Sequence, residues 1–205
     1  EVWCRFIGMH NAANLTAVYG AAMLLGGKEE EVITAMSRLT SVAGRLEYFK
    51  GEDEIIAAVD YAHTPDALEN VLKTLKELEP CGDLICVFGC GGNRDKTKRP
   101  EMGAIATKYS TRVVVTSDNP RFEDPNEIIA DIKGGMDIKG KAKSLFIPER
   151  SEAIRTAILT AKPGSIILVA GKGHEDYQII NGVKHHLDDK EIIKEAFAMQ
   201  KAAKN

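Results

Sequence analysis

One pattern constrains this chain more than any other, an alternation that starts near residue 54 and runs to the end. Apolar runs of strand length at 54–60, 83–89, 111–117, 143–147 and 165–170 alternate with helix-length amphipathic segments at 65–78, 99–108, 125–134, 150–161 and 189–199. Leu84-Ile-Cys-Val-Phe88 and Ile166-Ile-Leu-Val-Ala170 are apolar at every position, as strands covered on both faces must be. In the first helical segment Thr64 suits the N-cap and Pro65 the first helical position. Leu68, Val71, Leu72, Leu75 and Leu78 then share one face. In the fourth, Ala153, Ile154, Ala157, Ile158 and Ala161 do the same. Repeated strand–helix units imply right-handed crossovers. The expected class is α/β, a mostly parallel sheet with helices on both faces.

The first 43 residues read differently. Residues 1–7 suggest a strand, Gly8-Met-His-Asn11 a turn with a helix cap, 12–25 an Ala-rich helix stopped by Gly26-Gly27, and 28–39 a charged helix. Ser41-Val-Ala-Gly-Arg45 reads as a linker, with a domain boundary near Gly44. The chain opens at Glu1 without Met or a signal-peptide pattern, so it is expected to be part of a longer protein.

Composition removes several function classes. Lys plus Arg total 27 and Asp plus Glu 30, a net charge of -3 over 205 residues. Such a balance has no electrostatic footprint for nucleic acid or an anionic membrane. The run Ala17–Gly27 is too short and glycine-rich to span a bilayer. Cys4, Cys81, Cys86 and Cys90 form no CxxC pair, which fits reduced thiols in a cytoplasmic protein and argues against a zinc site.

In an open parallel sheet, ligands bind beyond the carboxyl ends of the strands. Four polar clusters fall there: Asp60-Tyr-Ala-His63, Gly89-Cys-Gly-Gly-Asn-Arg94-Asp-Lys96, Asp118-Asn-Pro-Arg121 and Gly171-Lys-Gly-His-Glu175. The second is only a loose dinucleotide loop, because Arg94 stands where a third glycine belongs. Its glycines and cations suit a carboxylate or phosphate. Pro120 stiffens the third cluster, leaving Asp118 and Arg121 as opposite charges near the cleft floor. A guanidinium grips a carboxylate and a carboxylate holds an ammonium, so the pair matches an amino acid. The competing reading is a surface ion pair of Arg121 with Glu123 or Asp124. Glu175 is a second candidate ammonium anchor. His174 reads as a hydrogen-bonder more readily than as a base. His185-His186, beside Asp188-Asp189, reads as a turn and not a metal site. The Walker A pattern, the serine elbow and HExxH are absent from the 205 residues.

Six motifs in order resemble the Mur ligases of peptidoglycan synthesis. They are Gly8-Met-His-Asn11-x-x-Asn14, Gly44-Arg-Leu-Glu47, Asp60-Tyr-Ala-His-Thr-Pro65, the Gly-Gly-Asn-Arg-Asp-Lys loop, Asp118-Asn-Pro-Arg121 and Gly171-Lys-Gly-His-Glu175. The last three resemble the branch that adds meso-diaminopimelate as the third stem-peptide residue. At His10 that branch usually has Phe, and sister ligases have His. The resemblance implies a remnant of the central ATPase domain over 1–43, then a Rossmann-like C-terminal domain over 44–205 that brings the amino acid. It implies ATP-dependent amide formation through an acyl phosphate, on the small molecules UDP-muramoyl dipeptide, diaminopimelate and ATP, by a monomer. The family's P-loop lysine, carbamylated lysine and Mg2+ ligands belong upstream, so the 205 residues alone are expected to be inactive and to hold no catalytic residue.

By the same resemblance Asn11, Asn14, Arg45, Asp60, Tyr61 and His63 contact ATP. Arg94, Asp118, Asn119, Arg121, Gly171 and Glu175 hold diaminopimelate, whose second carboxylate is what Arg94 and Arg121 read. Lysine-adding relatives lack the arginine of the Asp-Asn-Pro-Arg turn. The alternatives are a lysine-adding or folylpolyglutamate-type ligase, a non-catalytic module that binds an amino acid or nucleotide, and, more distantly, an NAD-binding oxidoreductase.

Overall fold

A computed structural model describes residues 8–39 and 44–203. The expected strand at 1–7, Cys4, most of the linker and the His10 side chain lie outside the described residues. Helices α1 (Met9–Leu24) and α2 (Glu29–Ser37) pack on each other. The Gly8-Met-His-Asn11 turn is not seen as such. The helix already starts at Met9, because Gly8 at φ 96 makes the entry bend without a side-chain cap.

From residue 44 the alternation becomes a six-stranded sheet in the order β1-β2-β6-β3-β4-β5. The strands are β1 (Glu47–Lys50), β2 (Ile56–Asp60), β3 (Leu84–Phe88), β4 (Arg112–Val115), β5 (Ser144–Phe146) and β6 (Ile166–Ala170). Only β1 runs antiparallel, against β2. Between them lie α3 (Pro65–Lys76), α4 (Lys98–Tyr109), α5 (Pro125–Gly134), α6 (Ile138–Ala142) and α7 (Arg150–Leu159). After β6 come a hairpin of β7 (Tyr177–Ile180) and β8 (Val183–His186), then α8 (Asp189–Ala202). No described helix is long and apolar enough to cross a membrane.

Two cores sandwich the sheet. On one face Leu68, Leu72 and Leu75 of α3, Met102 of α4 and Ile128 of α5 meet Cys86 and Leu168. On the other, Ile154 and Ile158 of α7 and Ile193 of α8 meet Ile85, Val87 and Val169. Burying one such side chain contributes about 1.5–3 kcal/mol. Thr64 caps α3 as expected, its hydroxyl accepting from the Ala67 N–H at 3.4 Å. Leu78 lies past the helix end and is half-exposed, so the buried stripe stops at Leu75.

Three elements escaped the sequence reading: β1, the short α6 and the β7–β8 hairpin. His185 and His186 are strand residues of β8 and not a turn, because Asn181-Gly182, both at positive φ, fold the chain back on β7.

The crossovers place the site. Helices α3, α4 and α5 all carry the chain toward β5 on one face, and α7 brings it back on the other to insert β6 between β2 and β3. The connections therefore diverge at the carboxyl ends of β6 and β3, where a doubly wound sheet opens its crevice.

Candidate functional site

All four polar clusters do follow the carboxyl ends of neighbouring strands, β2, β6, β3 and β4. They form two groups of side chains.

The first group surrounds the turn after β4. Asn119, almost fully buried, is its hub. Its Oδ1 accepts from the Ile179 N–H at 2.9 Å and from the Lys172 ammonium at 3.3 Å, and its Nδ2 donates to Glu175 Oε2 at 3.1 Å. Asp118 Oδ1 accepts from the Asn119 N–H at 2.7 Å. Asp118 Oδ2 lies 2.9 Å from where a Cβ on Gly171 would stand, and Gly171 has φ +114. Only glycine fits that approach between the β4 and β6 turns.

Arg121 takes a left-handed backbone, φ 55, fixed by hydrogen bonds to β7 and the turn after it: its N–H donates to Ile179 O at 2.9 Å and its carbonyl accepts from the Asn181 N–H at 2.7 Å. That turns its guanidinium over the glycine loop, where it donates to Gly92 O at 2.8 Å and Asn119 O at 3.4 Å. Among the described residues no carboxylate pairs with it. The expected competitor, Glu123, is taken by Arg99 at 3.0 Å and Lys96 at 3.1 Å. Glu123 also accepts from the Asn93 N–H. The Arg99 and Asn93 bonds hold its carboxyl down at about 2. The arrangement thus leaves a half-buried cation unneutralised, as a site for an anion requires. Arg94 is exposed beside it, its Cγ and the Arg121 Nη1 both flanking Gly91. The structure therefore gathers Asp118, Asn119, Arg121, Gly171 and Glu175 into one network, with Arg94 at its rim.

The second group follows β2. The Arg45 guanidinium lies 5.2 Å from the Tyr61 ring centre, His63 packs edge-on against Tyr61 at 4.7 Å, and His174 lies tilted on it at 5.4 Å. His63 Nδ1 is 2.8 Å from Tyr61 O. Asp60 stands behind them, 5 % exposed. Its two oxygens accept from the Leu46 N–H at 2.9 Å and the Ala62 N–H at 2.8 Å. Its visible work is to latch the segment after Gly44 onto the end of β2. Gly44 itself lies on the β6 turn, where a Cβ would stand 2.2 Å from the His174 nitrogen. Asn11, half-buried, and Asn14, exposed, sit one turn apart on α1.

Sequence reasoning gave no role to Lys172 or Arg150. Lys172 and Arg150 are 0 % exposed and sit under the site. Arg150 grips Asp189 through two hydrogen bonds, at 2.8 and 2.7 Å, and donates to Ala170 O and Ser117 O, the carbonyls that precede Gly171 and Asp118. His174 joins the aromatic group.

Comparisons with known proteins identify the family. A 2,6-diaminopimelate ligase acting on UDP-N-acetylmuramoyl-L-alanyl-D-glutamate, from Bacteroides fragilis, is 56% identical over 97% of this chain and 41% of its own length. One of the same name from Bacillus cereus is 49% identical over 96% of this chain and 39% of its own. The chain thus spans about two-fifths of the length of the curated relatives it matches. A solved structure of a ligase with that name superposes with a TM-score of 0.76 at 43% identity, over 98% of this chain and 40% of that one. UDP-N-acetylmuramate-alanine ligase from Thermotoga maritima, at 20% identity and a TM-score of 0.66, shares the fold over 98% of this chain and 40% of that one. A family model described as Mur ligase, glutamate ligase domain, matches residues 44–173, and the chain belongs to that family.

Proposed function

We propose that this chain supplies the amino-acid site, and one side of the ATP site, of a ligase that joins meso-diaminopimelate to UDP-N-acetylmuramoyl-L-Ala-D-Glu in peptidoglycan precursor synthesis. Residues 1–43 form the end of the central ATP-binding domain and residues 44–205 the C-terminal domain. The observation that carries this reading is the Arg121 guanidinium, without a carboxylate partner among the described residues, beside Asp118, Asn119 and Glu175, with Glu123 already committed to Arg99 and Lys96. Diaminopimelate differs from lysine by one carboxylate on its distal carbon, and a guanidinium held off its neighbouring acid discriminates on that group.

The reaction needs a carboxylate made electrophilic and an amine held against it. ATP supplies the phosphoryl group that converts the peptide carboxylate into an acyl phosphate; the amine attacks the acyl carbon and phosphate leaves. The residues here do the positioning. Arg121 and Arg94 hold the distal carboxylate. Asp118 and Glu175, whose Oε1 has no partner among the described residues, accept from ammonium groups. Asn119 and the Gly171 backbone complete the contacts. Arg45 over Tyr61, with His63 and His174, fits a nucleotide, offering a cation for phosphate and ring faces for the base. Asn11 and Asn14 approach the nucleotide from the central domain, and Asp60 holds Arg45 in place through Leu46. Among the described residues no group of three His, Cys, Asp or Glu side chains is placed to hold a metal ion.

The test is competition. The full-length ligase carrying this chain receives ATP, Mg2+, the UDP-muramoyl dipeptide and equal diaminopimelate and lysine, and products are weighed by mass spectrometry. A diaminopimelate product is expected. A lysine product would keep the ligase class and remove the role of Arg121; no product with either amino acid would remove the assignment.

A further inference from the structure

A lysine in the turn after a strand ordinarily keeps its ammonium in water. Lys172, two residues beyond β6, is 0 % exposed. Its ammonium donates to Asn119 Oδ1 at 3.3 Å and to Tyr177 O, and lies 3.8 Å from Glu175 Oε2. Those acceptors belong to three segments: the turn after β4, the start of β7 and the turn after β6.

We propose that Lys172 is a positioning residue for the amino-acid site, a buried tether that orients Asn119 and Glu175 against Arg121. The inference rests on the amino-acid site proposed above. The chemistry of the Asn119 amide carries it. Its carbonyl oxygen receives two donors, the Lys172 ammonium and the Ile179 N–H, so its nitrogen must face Glu175. That bond occupies Oε2 of Glu175 and leaves Oε1 for an incoming ammonium. With a neutral side chain at 172, the amide loses one of the two donors that hold its direction, and Glu175 loses its neighbouring cation.

The charges around Lys172 suit a tether that titrates. Burial lowers the proton affinity of its amine; Asp118 opposes this, Arg150 adds to it, and Asp189 and Glu175 oppose it. The Tyr177 ring, 5.6 Å away, closes the remaining side. The ammonium therefore loses its proton at lower pH than an ordinary lysine. As pH rises through that point, the tether weakens.

The test uses the full-length ligase carrying this chain, wild type against Lys172→Met. The expected result is a rise of at least tenfold in KM for diaminopimelate, with KM for ATP within twofold. The ratio of the two diaminopimelate KM values should shrink as pH rises, because only the wild type has a tether to lose. Equal rises for both substrates, an unchanged diaminopimelate KM, or a pH-independent ratio would overturn the inference. A wild type that makes no diaminopimelate product defeats the functional reading instead. In that case, or if Lys172→Met does not fold, nitrogen-15 NMR of the wild-type 205-residue chain decides. The Asn119 side-chain amide should shift with the titration of Lys172, and an amide indifferent to that titration would sink the tether.

Discussion

Arg121 is one of seven non-glycine residues with positive φ among those described, and it sits at the centre of the candidate amino-acid site. A left-handed backbone costs a residue with a Cβ about 1–2 kcal/mol, and the two hydrogen bonds to Ile179 and Asn181 keep it there. Strain of this kind concentrates where a side chain must be aimed. Replacing Arg121 by Ala removes the guanidinium and keeps the strain; replacing it by Gly removes both. Both variants should bind diaminopimelate about tenfold to over a hundredfold more weakly, the loss of one charge-assisted bond of about 1.5–3 kcal/mol. ATP affinity should stay within twofold. Arg121→Gly should be about 1 kcal/mol more stable to urea than Arg121→Ala. Titration with each ligand and urea unfolding check this, and parallel losses of ATP and diaminopimelate binding would show that the turn had collapsed.

Glu123, two residues on, makes a pH prediction. Its carboxyl is held at about 2, against an ordinary 4.5, chiefly by the Arg99 hydrogen bond. A carboxylate with a depressed folded pKa contributes stability above the unfolded value and loses it as pH falls toward the folded one. The window is therefore pH 4.5 down to 2. Glu123→Gln cannot titrate. Its melting temperature should lie below wild type at pH 6, with a gap that narrows as pH drops below 4.5. A gap of constant size down to pH 3 would mean that the Arg99 contact contributes nothing electrostatic.

Among the elements, β3 offers a test of burial by chemistry. Cys86, in the middle of the strand, and Cys90, just after it, have thiols that burial pushes up to about 12. Cys81, before the strand, is exposed. Only the thiolate is nucleophilic. Iodoacetamide at pH 8 should label Cys81 on the native chain and spare Cys86 and Cys90, whereas in urea Cys86 and Cys90 should react as well. Tandem mass spectrometry locates the labels, and native labelling of Cys86 would contradict the two-sided packing of β3.

The same strand shows why the core elements were legible. A run apolar at every position has only one comfortable place, the middle of a covered sheet, and β3 and β6 lie there. The edge strand β1 and the hairpin strand β8 were not legible. β1 is mixed and half-buried, and β8 is exposed along its length, so neither carries the periodicity that marks a strand. The residues of the candidate site were visible as polar clusters after strand ends. The buried cations Lys172 and Arg150 were not, because charge in a sequence reads as surface, and what reverses that reading is a partner far along the chain, such as Asp189 for Arg150.

At the scale of the whole molecule, that last pair joins four elements of the fold. Arg150 opens α7 and Asp189 opens α8, both with side chains 0% exposed. The guanidinium also reaches Ala170 O at 3.0 Å and Ser117 O at 3.4 Å, so one cation ties two helices to the carboxyl ends of β6 and β4. A buried pair of this kind adds little net stability over an apolar pair of similar size, because desolvation offsets the attraction. Breaking it from one side is costly, since the survivor is left charged and buried, typically by about 3–5 kcal/mol. Asp189→Ala should therefore destabilise strongly, whereas the double variant Arg150→Met, Asp189→Leu should recover most of that loss. Stability alone does not exhaust the role of the pair. The double variant keeps the packing and releases the carbonyls before Asp118 and Gly171, so a refolded core should still bind diaminopimelate more weakly than wild type. Urea unfolding combined with diaminopimelate titration separates the two effects. Recovery of stability together with wild-type affinity would show that the ion pair holds the fold without setting the site.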